Sequence, residues 1–254
     1  MSTPLGRAPG PGIDRPRVRV EILLVVTLTF GIAGVRAALQ LLDGLLAPTA
    51  LNEQTVAINT TQSTLPWLDL ALQITSAATL FAYGGLALFL LAGDGIRAAG
   101  IRLSDLGWGA VLAAIIGLPG LGLYVFAVQT GLARQMVPAP LDDAAVEIPA
   151  LLVWSAANAF GEEIVVVLYL MSRLRQLGWG LPAALAAASL LRGSYHLYQG
   201  ISAGFGNIIM GVVYGLFWWR TGRIWPLVIA HFLIDAVAFV GYHALGGDLR
   251  LLGL

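Results

Sequence analysis

The sequence predicts an all-α fold, a polytopic membrane helical bundle with about seven transmembrane helices. Three observations lead there. Hydrophobic residues make up 58% of the 254-residue chain and charged residues 11%, with a mean hydropathy of +0.82, whereas about 25% of an ordinary soluble domain is charged. Apolar stretches long enough to cross a bilayer, roughly 20 residues each, recur along the whole chain. The arginines, finally, are concentrated in every second connection between those stretches.

Taken in order, residues 1–19 are rich in Pro, Gly and Arg and read as a disordered cytoplasmic tail. The apolar run that follows exceeds a signal-peptide core and lacks a small-residue cleavage site, which predicts a retained span over 20–46. Further spans are predicted at 68–92, 108–130, 148–170, 181–198, 203–219 and 224–245. The segment near 92–106 mixes Asp94, Arg97, Arg102 and Asp105 with Ile and Leu and predicts a short interfacial helix. Residues 20–147 thus form an N-terminal group of transmembrane helices and 148–246 a second unit.

Arg7, Arg15, Arg17 and Arg19 precede the first span, Arg97 and Arg102 follow the second, Arg173 and Arg175 the fourth, and Arg220 and Arg223 the sixth. The intervening connections hold only Arg134, and the C-terminal end only Arg250. The positive-inside rule then puts the N-terminus in the cytoplasm and the C-terminus outside. All 14 basic residues are arginine, a bias of GC-rich coding, so the expected location is a bacterial cytoplasmic membrane.

Composition also removes several chemistries. With no cysteine there is no disulfide, thiolate nucleophile or Cys-bound zinc. With no lysine there is no lysine base or Schiff base. A net charge of zero and dispersed arginines exclude nucleic acid as a partner and leave membrane lipids.

Glu162 and Glu163 interrupt the apolar stretch 151–170. A carboxylate at that depth costs roughly 2.5–3.5 kcal/mol even on a lenient insertion scale, and adjacent ionised carboxylates repel. Two of the three histidines, His196 and His231, lie in later spans, while His243 near the outer end of the last span reads as interfacial. His231 and Asp235 share a helix face at four-residue spacing, as do Arg192 and His196. Adjacent Glu162 and Glu163 point about 100° apart, so one can face a cavity while the other reaches a partner helix. Burying these polar faces against one another would hide them from lipid. Carboxylates and imidazoles together are the components of acid–base or metal chemistry. Each also has a structural reading: Arg192 as a counter-ion for a glutamate, Asp235 as an orienting group for His231.

In their order, each on its own helix, Glu162-Glu163, His196 and His231-x-x-x-Asp235 resemble the CAAX-protease and bacteriocin-processing (CPBP) family over residues 158–242. The resemblance implies an intramembrane endopeptidase whose catalytic core is the last four spans. It implies Glu162 as the general base for a water, His196 positioning that water, and His231 with Asp235 at the oxyanion. Two positions depart from the family pattern: its first motif carries an arginine where this chain has Val167, and its second a phenylalanine where this chain has Arg192. Arg192 is therefore expected to take over the missing charge and pair with Glu163.

The preferred mechanism requires no cofactor; zinc held by Glu162, His196 and His231 is the alternative, although no His-Glu-x-x-His motif supports it. The implied substrate is a membrane-associated peptide or protein. Competing functions are a catalytically impaired scaffold or immunity protein of the same fold and, more remotely, an ion-coupled transporter. Counting along straight helices at 1.5 Å per residue places His196 about 10 Å deeper than Glu162 and His231. The fifth span must therefore start late, tilt or break.

Overall fold

The computed structural model describes residues 14–58, 60–138 and 144–244. Among these, seven helical stretches follow the seven predicted spans in order: α1 Arg15–Leu46, α2 Pro66–Gly93, α3 Leu103–Gln129, α4 Ala144–Gln176, α5 Leu181–Tyr195, α6 Ile201–Thr221 and α7 Trp225–Ala244. Five of them, all except α5 and α7, are both long and apolar enough to cross a membrane. Residues 1–13 of the expected tail, Arg250 and the end of the second unit beyond 244 lie outside the described residues.

Local chemistry sets the helix ends. The expected tail stops short of residue 19 because Asp14 caps α1: its side chain accepts the Arg17 N–H at 3.2 Å, with Pro16 in the first turn. No interfacial helix forms near 92–106; the chain between Gly93 and Leu103 is turn and extended backbone. Gly95, at φ 75°, lets α2 end with paired bonds from Ile96 N–H to the Leu91 carbonyl and from Gly95 N–H to that of Ala92. Asp105 then accepts the Arg102 N–H at 2.8 Å and starts α3.

Two short strands were absent from the expectation. β1 (Thr55–Ile58) and β2 (Gln135–Pro138) pair in parallel, Thr55 opposite Gln135. Arg134 fastens this pair to the bundle, donating to Gln54 Oε1, the Tyr198 carbonyl and the Gln40 carbonyl, each at 3.0 Å. An antiparallel bridge joins Ala133 to Gly200. The end of α1, the small sheet and the turn between α5 and α6 thus gather at one end of the bundle. At the other end, buried Arg173 binds Glu21 at 2.8 Å, Asp94, and the Leu90 carbonyl at 2.9 Å. There too, Arg223 pairs with Asp105, and Trp225 Nε1 donates to the Ala99 carbonyl at 2.5 Å. Successive helices therefore run in alternating directions, as the arginine pattern required.

Arg134→Ala is expected to cost about 0.5–1.5 kcal/mol, the net worth of a hydrogen bond to partly exposed acceptors that water can satisfy instead. It should also speed amide exchange across 196–200. Thermal unfolding and hydrogen–deuterium exchange in detergent read the two effects; unchanged exchange in that turn would show that Arg134 does not hold it.

α4 is the central helix: 67% of its most apolar window is buried, against 17% for α3, which faces lipid. Residues 161–174 of α4 are buried without interruption, the pattern of a helix surrounded on all sides. α5 and α6 pack closely because Gly211 has no side chain; a Cβ there would lie 2.9 Å from Ser189 Cα.

Candidate active site

Glu162 closes the regular part of α4, and Glu163 opens a π-helical turn, Glu163–Tyr169, in which the backbone widens by one residue. Both carboxylates are buried, Glu162 3% and Glu163 0% exposed. Side chains of three other helices meet them. Arg192 comes from the last turn of α5, and His196 caps that helix. His231 and Asp235 come from successive turns of α7.

The two glutamates have different partners. Glu163 Oε1 accepts from Arg192 Nη2 at 2.5 Å and from His231 Nδ1 at 2.7 Å. Glu162 Oε2 accepts from the Tyr195 hydroxyl at 2.6 Å and lies 3.5 Å from Arg192 Nη1 and 3.8 Å from His196 Nε2. Arg192, itself 0% exposed, also touches Met210 Sδ at 3.7 Å and lies 5.7 Å from the centre of the Tyr214 ring. The expected pairing of Arg192 with Glu163 is thus the geometry found. Val167, in the family's arginine position, is 1% exposed within the apolar core.

On the far side of His231, Nε2 lies 3.6 Å from Asp235 Oδ1. Asp235 Oδ2 accepts from Asn158 Nδ2 at 2.8 Å. Among the described residues neither ring nitrogen of His196 has a hydrogen-bond partner, and its side chain keeps 15% exposure. Asp235 keeps the same 15%. His196 and Asp235 are thus the more exposed members of the cluster, although both ring nitrogens of His196 are buried, and Glu162 is among the most buried. The discrepancy in depth between Glu162 and His196 has its cause in α4, which continues to Gln176 instead of ending at 170, so that Glu162 lies about as far from that end as His196 lies from Leu181. α5 starts at Leu181 as expected and turns only at His196, through a single 3₁₀ turn and Gly200 at φ 129°, a conformation that only glycine adopts readily.

Six predicted residues, Glu162, Glu163, Arg192, His196, His231 and Asp235, form one connected cluster. Among the described residues no three His, Asp or Glu side chains are placed to hold one metal ion; the alternative set Glu162, His196 and His231 is divided between separate partners. His243 lies where side chains are not described. Two members of the cluster escaped the sequence reading. Asn158 had a signal, being one turn before Glu162 on the same face. Tyr195 had a weaker one, three residues after Arg192 and hence on the same side of α5. Its ring also packs against Phe30, at 4.9 Å between centres, so α1 supports the hydroxyl that holds Glu162.

Residues 144–237 match the family model described as type II CAAX prenyl endopeptidase Rce1-like. No curated protein and no solved structure matches the chain significantly. The matched segment carries every side chain of this cluster. The match spans 94 of the 254 residues and supports, for that segment, a likeness to the CPBP family of membrane proteases.

Proposed function

We propose that the protein is an intramembrane endopeptidase that hydrolyses a peptide bond in a membrane-associated peptide or protein by a water activated at Glu162. The separation of 3.8 Å between Glu162 Oε2 and His196 Nε2 carries this reading. Hydrogen bonds of about 2.8 Å let a single water bridge those two atoms. Glu162 takes the water's proton as the oxygen attacks the carbonyl carbon, and His196 orients the water from the more exposed side. Glu163 is engaged by Arg192 at 2.5 Å and His231 at 2.7 Å, whereas Arg192 stays 3.5 Å from Glu162. Of the two adjacent acids, Glu162 is therefore the one left to act as base. His231, fixed by Glu163 and Asp235, faces the developing oxyanion in the arrangement that the family resemblance implies. The catalytic core is residues 148–246, with the N-terminus in the cytoplasm and the C-terminus outside a bacterial membrane.

The test is hydrolysis of a fluorogenic peptide library by the purified protein in liposomes, with arms that carry or lack a C-terminal prenylated cysteine. Loss of cleavage in folded Glu162→Ala and His196→Ala variants is expected. Activity that ignores both substitutions eliminates the protease, and a measured ion flux would instead favour a transporter. A folded wild type without cleavage leaves the impaired scaffold, a reading that Val167 in the arginine position favours. Chelators are expected to leave the rate unchanged; loss restored by zinc transfers Glu162, His196 and His231 to a metal mechanism.

Tyr195→Phe removes the hydroxyl at Glu162 and keeps the ring on Phe30. A fall in kcat of about tenfold with KM unchanged is expected, less than the roughly 10²–10⁴-fold a general base contributes, because the base itself remains. Steady-state kinetics check it, and an unchanged kcat would make Tyr195 a packing residue only.

A further inference from the structure

We infer that Asn158 is a catalytic residue, the amide donor to the oxyanion, and that Asp235 holds Asn158 in place without touching the substrate. The inference rests on the hydrolytic reading above. Asn158 lies four residues before Glu162, so its side chain leaves α4 on the same face as the base. The amide is oriented by its bond to Asp235: Nδ2 donates to Oδ2, so Nδ2 and not Oδ1 faces the carboxyl group. Nδ2 carries two hydrogens, and the 2.8 Å bond to Asp235 Oδ2 uses one. The other remains for a ligand.

Asp235 is badly suited to the role itself. Its Oδ2 already serves as the acceptor for Asn158 Nδ2 at 2.8 Å, and its Oδ1 lies 3.6 Å from His231 Nε2, too far for a hydrogen bond. A carboxylate beside a second negative charge is repelled, most strongly where water is sparse. A neutral amide hydrogen-bonded to that carboxyl group avoids the repulsion and is already oriented by it, which is the preorganisation that oxyanion stabilisation needs. Asn158 and Asp235 are both only partly buried, and Asn158 shares its helix face with Glu162.

In the reaction, the water oxygen bonds to the carbonyl carbon while its proton passes to Glu162. The C=O π pair moves onto the carbonyl oxygen, which accepts the second N–H of Asn158. As that pair returns, the C–N bond breaks and the amine leaves with the proton from Glu162. Asn158 acts on the charged intermediate and not on the bound peptide, so its loss lowers kcat and spares KM.

The experiment uses the full chain in liposomes with the fluorogenic peptide library, comparing wild type, Asn158→Ala, Asn158→Ser, Asn158→Ala with Asp235→Asn, and Glu162→Gln. Asn158→Ala is expected to lose about 10²–10³-fold in kcat, with KM unchanged. The double variant, which puts an amide donor at position 235, should recover at least tenfold over Asn158→Ala. Asn158→Ser, which keeps a donor, should fall between and stands in if the alanine variant does not fold. The inference is overturned if the folded alanine or serine variant keeps the wild-type kcat while Glu162→Gln is inactive, or if the double variant recovers nothing. Wild-type activity in Glu162→Gln, or none in wild type, overturns the hydrolytic reading itself and this inference with it.

Discussion

Glu162→Gln is expected to fold as the parent does and to lose about 10²–10⁴-fold in hydrolysis, the contribution of a positioned general base. Glutamine keeps an oxygen for the Tyr195 hydroxyl, so the 2.6 Å contact and the packing around it survive. What disappears is the capacity to take a proton. Glu163→Gln, one residue further, is expected to fail in the opposite way. Its carboxylate holds Arg192 and His231 at 2.5 and 2.7 Å in a site from which water is excluded. Removing that charge leaves a buried guanidinium short of its main partner, at about 3–5 kcal/mol. Thermal unfolding separates the two: a large drop in Tm for Glu163→Gln, little for Glu162→Gln. Equal unfolding temperatures with equal activity losses would mean that the two acids share one role.

Arg192→Phe, which restores the family's residue, should cost a similar 3–5 kcal/mol by stranding Glu163, a large part of the 5–15 kcal/mol that holds an ordinary domain folded. Val167→Arg alone should also destabilise, because it forces a second cation into a core position that is 1% exposed. Together the substitutions move the charge from α5 to α4, one turn from Glu163, and the double variant should be more stable than either single one. Tm measurements on the three decide it. A double variant no better than its parents would show that Arg192 is not standing in for the absent arginine.

That pairing was legible in the sequence because a membrane leaves so few polar residues to combine; an arginine facing a glutamate across two helices is nearly forced. The order of helices was legible for the same reason, since hydrocarbon demands some 20 apolar residues per crossing. The segment near 92–106 was misread because its outcome turned on Gly95 and Asp105, whose capping bonds outweigh an amphipathic composition. β1 and β2 were invisible: four-residue strands paired across two intervening helices leave no local signature. The π turn at Glu163–Tyr169 was likewise hidden, because an apolar run such as Ile164 to Leu168 reads as a regular helix equally well. Tyr195 was missed because beside a histidine it reads as ordinary aromatic packing, and Asn158 because attention fell on charged groups.

The 15 residues of α5 have a consequence for the surrounding lipid. At 1.5 Å per residue they cover about 22 Å, while the 28 residues of α2 cover about 42 Å. The hydrocarbon layer is about 30 Å thick, so at α5 the protein is hydrophobically shorter than the bilayer around it. The shortfall lies at the His196 end, where the polar turn and the Arg134 segment stand in for helix. Acyl chains must thin or withdraw there, a mismatch that costs fractions of a kcal/mol per Å. A bilayer of shorter acyl chains is therefore expected to match the span of α5 more closely than a thicker one.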